Sequence, residues 1–226
     1  MINRRFFLAF AATFAATLPA VVYAESPCCG PVTENGERLL HFLDGSGVDH
    51  LWLPGFRVNW QTGEALEAWP ANSGAHTHCS AFAGSAAMRL GVYLLRPPDH
   101  PQTLLANAQL VWLSSAEAVA GGWRPLADAS AAQAQANLGV LVMAVFENPN
   151  PRKAGHIAIV RPGAITASQL AQTGPLVTQA GGHNALSVPL AHGFNNHPGA
   201  WIPGGNGGVR FFAHEVNWTQ VGALDN

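Results

Sequence analysis

From Ser80 to Ala87 the chain consists almost entirely of small residues. Ser80, Ala81, Ala83, Gly84, Ser85, Ala86 and Ala87 surround a single large one, Phe82. Cys79, Phe82, Ala86 and Leu90 recur at helical spacing and Gly91 follows as a stop, so the run reads as a helix. With so little side-chain bulk, that helix has to lie close against whatever covers it. Cys79 falls in its first turn, with Thr77 or Ser73 as candidate caps.

The rest of the chain indicates what covers it. Residues 103–119 read as a second helix, with Leu104, Ala108, Val111 and Ser115 on one stripe. Ser130 to Leu138 reads as a third, capped by Asp128 or Ser130 and ended by Gly139. Strands then take over: Val140–Phe146, His156–Val160 closed by Arg161-Pro162, Pro175–Ala180 stopped by Gly181-Gly182, and Val209–His214. Residues 181–208 read as loop. Helices followed by a run of strands predict an α+β domain, an antiparallel sheet with the Cys79 helix packed on it. Residues 41–75, with Trp52, Trp60 and Trp69, read as irregular structure with short strands. One domain over residues 25–226, with an irregular extension at about 25–70, accounts for the whole.

Residues 1–24 have the form of an export leader: Arg4 and Arg5, an uncharged run from Phe6, and small residues up to Ala24. Asn3-Arg4-Arg5-Phe6-Phe7-Leu8 also resembles the twin-arginine signal, so either export route is open. The expected location is periplasmic or secreted, with no stable membrane span once the leader is cleaved. Charged residues are 11% of the chain and the net charge is −2, which excludes the dense basic face a nucleic-acid partner needs. Three cysteines cannot all pair within one chain. Cys28 and Cys29 are adjacent, and adjacent cysteines rarely bond each other; one of them is expected to staple the N-terminal segment, or the pair to be accessory.

A cysteine at a helix start meets unpaired N–H groups and the positive end of the dipole, which favour the thiolate. It then needs a base. His156 opens a strand in which His156, Ala158 and Val160 share one face, Ile157 and Ile159 the other. The face carrying His156 and the small Ala158 is expected to look onto the Cys79 helix. The next strand offers Gln179 to orient the imidazole, and His183 and Asn184 lie just beyond.

Thr77-His78-Cys79-Ser80-Ala81-Phe82 resembles the nucleophile-bearing helix start of the NlpC/P60 and CHAP group of papain-like cysteine peptidases. Gly155-His156-Ile157-Ala158-Ile159-Val160 resembles their glycine–histidine strand, and Val177-Thr178-Gln179-Ala180 with Asn184 the strand that supplies the polar third residue. The resemblance covers roughly residues 72–185. It implies hydrolysis of amide bonds in peptidoglycan, or a similar peptide, without a cofactor. It implies Cys79 as nucleophile, His156 as base, Gln179 ahead of Asn184 as the orienting residue, and the Cys79 N–H at the oxyanion. His78 or His76 is implied as an oxyanion donor or a grip for a substrate carboxylate. The segment between cysteine and histidine is long for that group.

Two other readings fit the same residues. His76, His78 and Cys79 supply imidazole and thiolate that suit zinc or copper, though without the two separated ligand couples of a structural zinc site. A non-catalytic envelope protein holding cell-wall peptide on Trp52–Trp69 and Phe194–Trp201 is the other. Acyl transfer shares the acyl-enzyme half of the reaction with hydrolysis.

Overall fold

The computed structural model describes residues 25–73, 76–205 and 207–221; the expected leader lies outside them. In chain order the helices are α1 (Glu34–Asp44), α2 (Cys79–Arg89), α3 (Leu105–Leu113), α4 (Ala116–Ala120), α5 (Ala129–Asn137), α6 (Ala167–Thr173), α7 (Leu190–Gly193) and α8 (Trp218–Val221). The strands are β1 (Pro27–Cys28), β2 (Phe56–Val58), β3 (Ala65–Ala68), β4 (Arg124–Leu126), β5 (Leu141–Phe146), β6 (His156–Val160), β7 (Ile165–Thr166), β8 (Leu176–Gln179), β9 (Ala185–Pro189) and β10 (Arg210–His214). Six strands form one antiparallel sheet in the order β4–β10–β5–β6–β8–β9; β1 pairs with β7 and β2 with β3. The fold is α+β with antiparallel sheets.

Both faces of the central sheet are covered. On one, Leu141, Met143, Val145, Ile157, Ile159 and Phe212 pack with Phe82, Ala83 and Ala86 of α2 and Leu110 of α3. On the other, Val142, Ala144, Ala158, Val160 and Phe211 pack with Ala132 and Ala136 of α5 and with Leu170 and Phe194. Double coverage is why β5 and β6 read as unbroken apolar runs rather than alternating ones. Residues Cys79 to Ala87 of α2 are all buried, which its small side chains permit.

Several elements differ from the sequence expectation. The 103–119 helix is two: α3 ends at Ser114, and the Ser115 side chain accepts from the Ala118 N–H to start α4. Consecutive serines compete for helical backbone and favour caps over helix interiors, which divides the stripe. α1 is capped by Thr33 and buries Leu39 and Leu43, a narrow apolar stripe in a polar segment. β9 and α7 lie within the stretch read as loop. Neither Thr77 nor Ser73 caps α2; its N-cap is His78, without a side-chain cap bond. Cys28 and Cys29 are bonded to each other, with Cα atoms 3.8 Å apart, so neither cysteine staples a distant segment.

A buried arginine ties the layers together. Arg161, just after β6, donates to Thr178 Oγ1 at 3.0 Å, to the Leu186 carbonyl at 2.8 Å and to Asp44 of α1 at 2.5 Å. Planar, multiply donating guanidinium suits this triple role.

Candidate active site

Cys79 is the first residue of α2 and is 5% exposed. Burial pushes its thiol upward; the backbone N–H of Ile157 and those of Ser80 and Cys79 act in the opposite direction. The helix-start effect foreseen from sequence is therefore present but smaller than burial, so the resting group is a thiol. Cys79 borders a cleft of about 590 Å³, whose walls include Arg57 and Trp69 on one side, Thr103 and Leu104 on the other, and Gly155. The β2–β3 hairpin forms the first wall. It is held to α2 by a 2.8 Å hydrogen bond from His78 Nε2 to the Phe56 carbonyl, and by the Gly55 N–H to the His76 carbonyl at 3.0 Å.

Gly155 explains itself sterically. A Cβ there would sit 2.1 Å from the Phe146 carbonyl oxygen and 2.4 Å from Asn107 Oδ1. The absence of a side chain lets the chain enter β6 alongside β5. His156 pairs in register with Phe146.

The His156 ring does not look onto α2. Ile157 and Ile159 face α2, and Ala158 and Val160 face the other layer. His156 lies with the latter, its ring 4.5 Å edge-on from Phe194 and 5.3 Å from the near-parallel ring of His197. Complementarity of bulk is the reason: the small residues of α2 leave room for the isoleucines. Matching small residues with a small-residue helix inverted the assignment of faces. Cys79 reaches the sheet from the α2 side, and its thiol abuts the N–H of the peptide that joins His156 to Ile157. Among the described residues no hydrogen bond joins thiol and imidazole; the imidazole is bonded to Gln179.

That bond fixes the tautomer. Gln179 Nε2 donates to the His183 carbonyl at 3.2 Å, which turns Oε1 toward His156. His156 Nε2 therefore donates to Oε1, at 2.8 Å. In the neutral ring this leaves Nδ1, the nitrogen on the main-chain side, with a free lone pair. Burial lowers His156 to about 4, against a smaller raising effect from Gln179, so the ring is neutral at neutral pH. The resting pair is thiol and imidazole, not an ion pair.

The other candidate residues lie elsewhere. Asn184 donates to the Leu51 and Trp52 carbonyls at 2.7 and 3.2 Å and accepts from the Gly181 N–H at 3.0 Å; it pins a turn and does not meet His156. His78 is lowered by burial, with the Phe56 carbonyl opposing. As a neutral ring donating from Nε2 it has only an acceptor left, so it cannot donate to an oxyanion. His76 stacks on Trp69 at 3.9 Å and bonds Ser73 Oγ at 3.1 Å. Ser73 Oγ donates to the Pro70 carbonyl, so His76 Nε2 is the donor in that bond and is already engaged. Arg57 also lies over Trp69, at 4.5 Å.

His76, His78 and Cys79 do not converge on a metal: each has a different partner, and among the described residues no three His, Cys, Asp or Glu side chains group as a metal site. Trp52 and Phe194, expected on a recognition surface, are 2% and 1% exposed and belong to the two cores. No helix among the described residues is long and apolar enough to cross a membrane.

Sequence reasoning missed segment 193–197. A Cβ on Gly193 would lie 2.5 Å from Gln179 Oε1, Phe194 is edge-on to His156, and His197 stacks on it. Its glycine and histidine look like ordinary loop residues, and no spacing rule links them to β6.

No protein-family model matches the chain, and no curated protein matches it.

Proposed function

We propose that this protein is an exported cysteine amidase with a papain-like arrangement, cleaving peptide amide bonds, with peptidoglycan as the substrate class. The observation that carries the reading is the buried His156–Gln179 bond of 2.8 Å beside a cysteine that starts a helix and borders an open cleft. A structural histidine needs any acceptor. Here the acceptor is an oriented amide that leaves Nδ1 unprotonated, and the thiol abuts the N–H of the peptide that follows the same histidine. The export leader and the resemblance of the Cys79, His156 and Gln179 segments support the substrate class.

The chemistry starts from a neutral pair. As the substrate carbonyl approaches in the cleft, the Cys79 thiol turns toward His156 and gives its proton to Nδ1 while sulfur bonds the carbonyl carbon. Catalytic hydrogen bonds are often long in a free enzyme and tighten with substrate. The carbonyl electron pair moves to oxygen, which accepts a hydrogen bond from the Cys79 N–H at the start of α2. The imidazolium, held by Gln179, delivers the proton to the amine nitrogen as the carbon–nitrogen bond breaks. Water, deprotonated by the same Nδ1, then frees the acyl group and restores the thiol. Burial opposes the charged pair, so it exists only while the reaction proceeds.

The test is digestion of purified peptidoglycan by residues 25–226, with released peptides and new amines read by mass spectrometry. The proposal expects release by the wild type and none by Cys79→Ser or His156→Ala. Equal release by all three, or none by the folded wild type on peptidoglycan and on its isolated stem peptides, contradicts it.

A further inference from the structure

Beyond the pair and its orienting amide, the segment that begins with the last residue of α7 makes a cradle for the base. Gly193 approaches the Gln179 amide so closely that a Cβ would be 2.5 Å from Oε1. One residue on, Phe194 meets the His156 ring at 4.5 Å and 75°. Three residues further, His197 lies at 5.3 Å and 15°, near parallel, with Phe146 at 5.7 Å from it. The turn is set by backbone bonds: the His197 N–H to the Phe194 carbonyl and the Ala200 N–H to the His197 carbonyl, both 2.9 Å. His156 is thus held by an amide at its edge, by Phe194, and by a stacked ring.

We infer that His197 is a positioning residue for His156: its ring stacks on the imidazole, holds the ring plane set by the Gln179 bond, and keeps water from the base. The inference rests on the reading of His156 as base. An imidazole tethered at one nitrogen can still swing about that bond; a parallel ring removes the swing. Water admitted beside the ring favours its protonated form and makes it a poorer base at mildly acid pH. His156 is the titratable group that acts on His197, which is itself lowered to about 4, by burial first and by His156 second. Phe146 and Phe194 carry no charge, and what acts on His156 besides burial is the Gln179 amide. His183 meets this network through its main-chain carbonyl.

The experiment compares wild type, His197→Ala, His197→Phe and His156→Ala in residues 25–226. It reads the rate of Cys79 alkylation by iodoacetamide across pH ~4–9 and the His156 ring titration by NMR. His197→Ala is expected to lower the His156-dependent rate about tenfold or more and to move the His156 titration upward by about one unit. His197→Phe, which keeps the stacked ring, is expected to stay within about threefold of wild type. An alanine variant with wild-type rate and titration overturns the inference. So does a phenylalanine variant as impaired as alanine, because the ring would then not be what matters. Should the alanine variant not fold, the phenylalanine result and the wild-type NMR titration decide: a wild-type His156 titrating at its ordinary value also overturns it. Failure of the underlying reading looks different: alkylation indifferent to His156→Ala itself.

Discussion

Acid should destabilise this protein through His156, by an amount the structure sets. The ring is 4% exposed, and its value in the folded chain is about 4 against an ordinary 6.5. The unfolded chain therefore takes up a proton below pH ~6.5 that the native ring refuses until pH ~4. Stability from this group is complete above the unfolded value and falls as pH drops through that window. The gap corresponds to about 3 kcal/mol, with little solvent screening at such burial. His197 moves the same way but is about half-buried, so its share is smaller. The assay is urea unfolding of residues 25–226 at pH ~7 and pH ~4, for wild type and His156→Gln. Surface carboxylates titrate alike in both, so their contribution cancels. The wild type should lose about 2–3 kcal/mol more than the variant between the two pH values. Parallel losses, within about 0.5 kcal/mol, would refute a buried neutral imidazole.

Three further substitutions probe the scaffold and the site. Gly155→Ala forces a Cβ onto the Phe146 carbonyl oxygen, 2.1 Å away; it should cost about 2–4 kcal/mol in urea unfolding, and a cost under about 0.5 kcal/mol counts against the tight β5–β6 entry. Arg161→Met strips the donors from Thr178, Leu186 and Asp44; about 2–4 kcal/mol should be lost by thermal or urea unfolding, and a neutral result would show that the triple bond adds nothing net. Gln179→Leu frees the His156 ring to take the other tautomer, so Cys79 alkylation at neutral pH should fall about tenfold or more while the fold, read by circular dichroism, persists; an unchanged rate removes the orienting role.

What could be read from the sequence depended on how local its cause is. The starts of β6 and α2 follow from the Gly155-His156 step and the small-residue run, because each is set by its own residues. The pairing of His156 with Gln179 was reachable through strand alternation, which puts Gln179 on the same face as Val177. The face assignment of β6 was not, because it turns on which layer has room for isoleucine. The effect of burial on Cys79 also escaped, since a helix start is visible in sequence and the depth of the thiol is not. His78 reads as a free donor until the β2–β3 hairpin brings the Phe56 carbonyl to it. The cradle at Phe194 and His197 depends on a return of the chain after β9, a connection that no periodicity marks. The Cys28–Cys29 bond went against the general rarity of such pairs.

The central claim is that Cys79, His156 and Gln179 act as one unit from a neutral resting state. The most direct measurement is the second-order rate of iodoacetamide alkylation at Cys79 across pH ~4–10, in wild type and in His156→Ala, with the modified residue identified by mass. The account predicts a wild-type rate that rises with deprotonation of His156 on the acid side, levels across neutral pH, and drops about tenfold or more there in His156→Ala. A rate that climbs tenfold per pH unit up to the thiol's own titration above ~8.5, identical in both proteins, would mean that the imidazole takes no proton from the cysteine. That result would contradict the account.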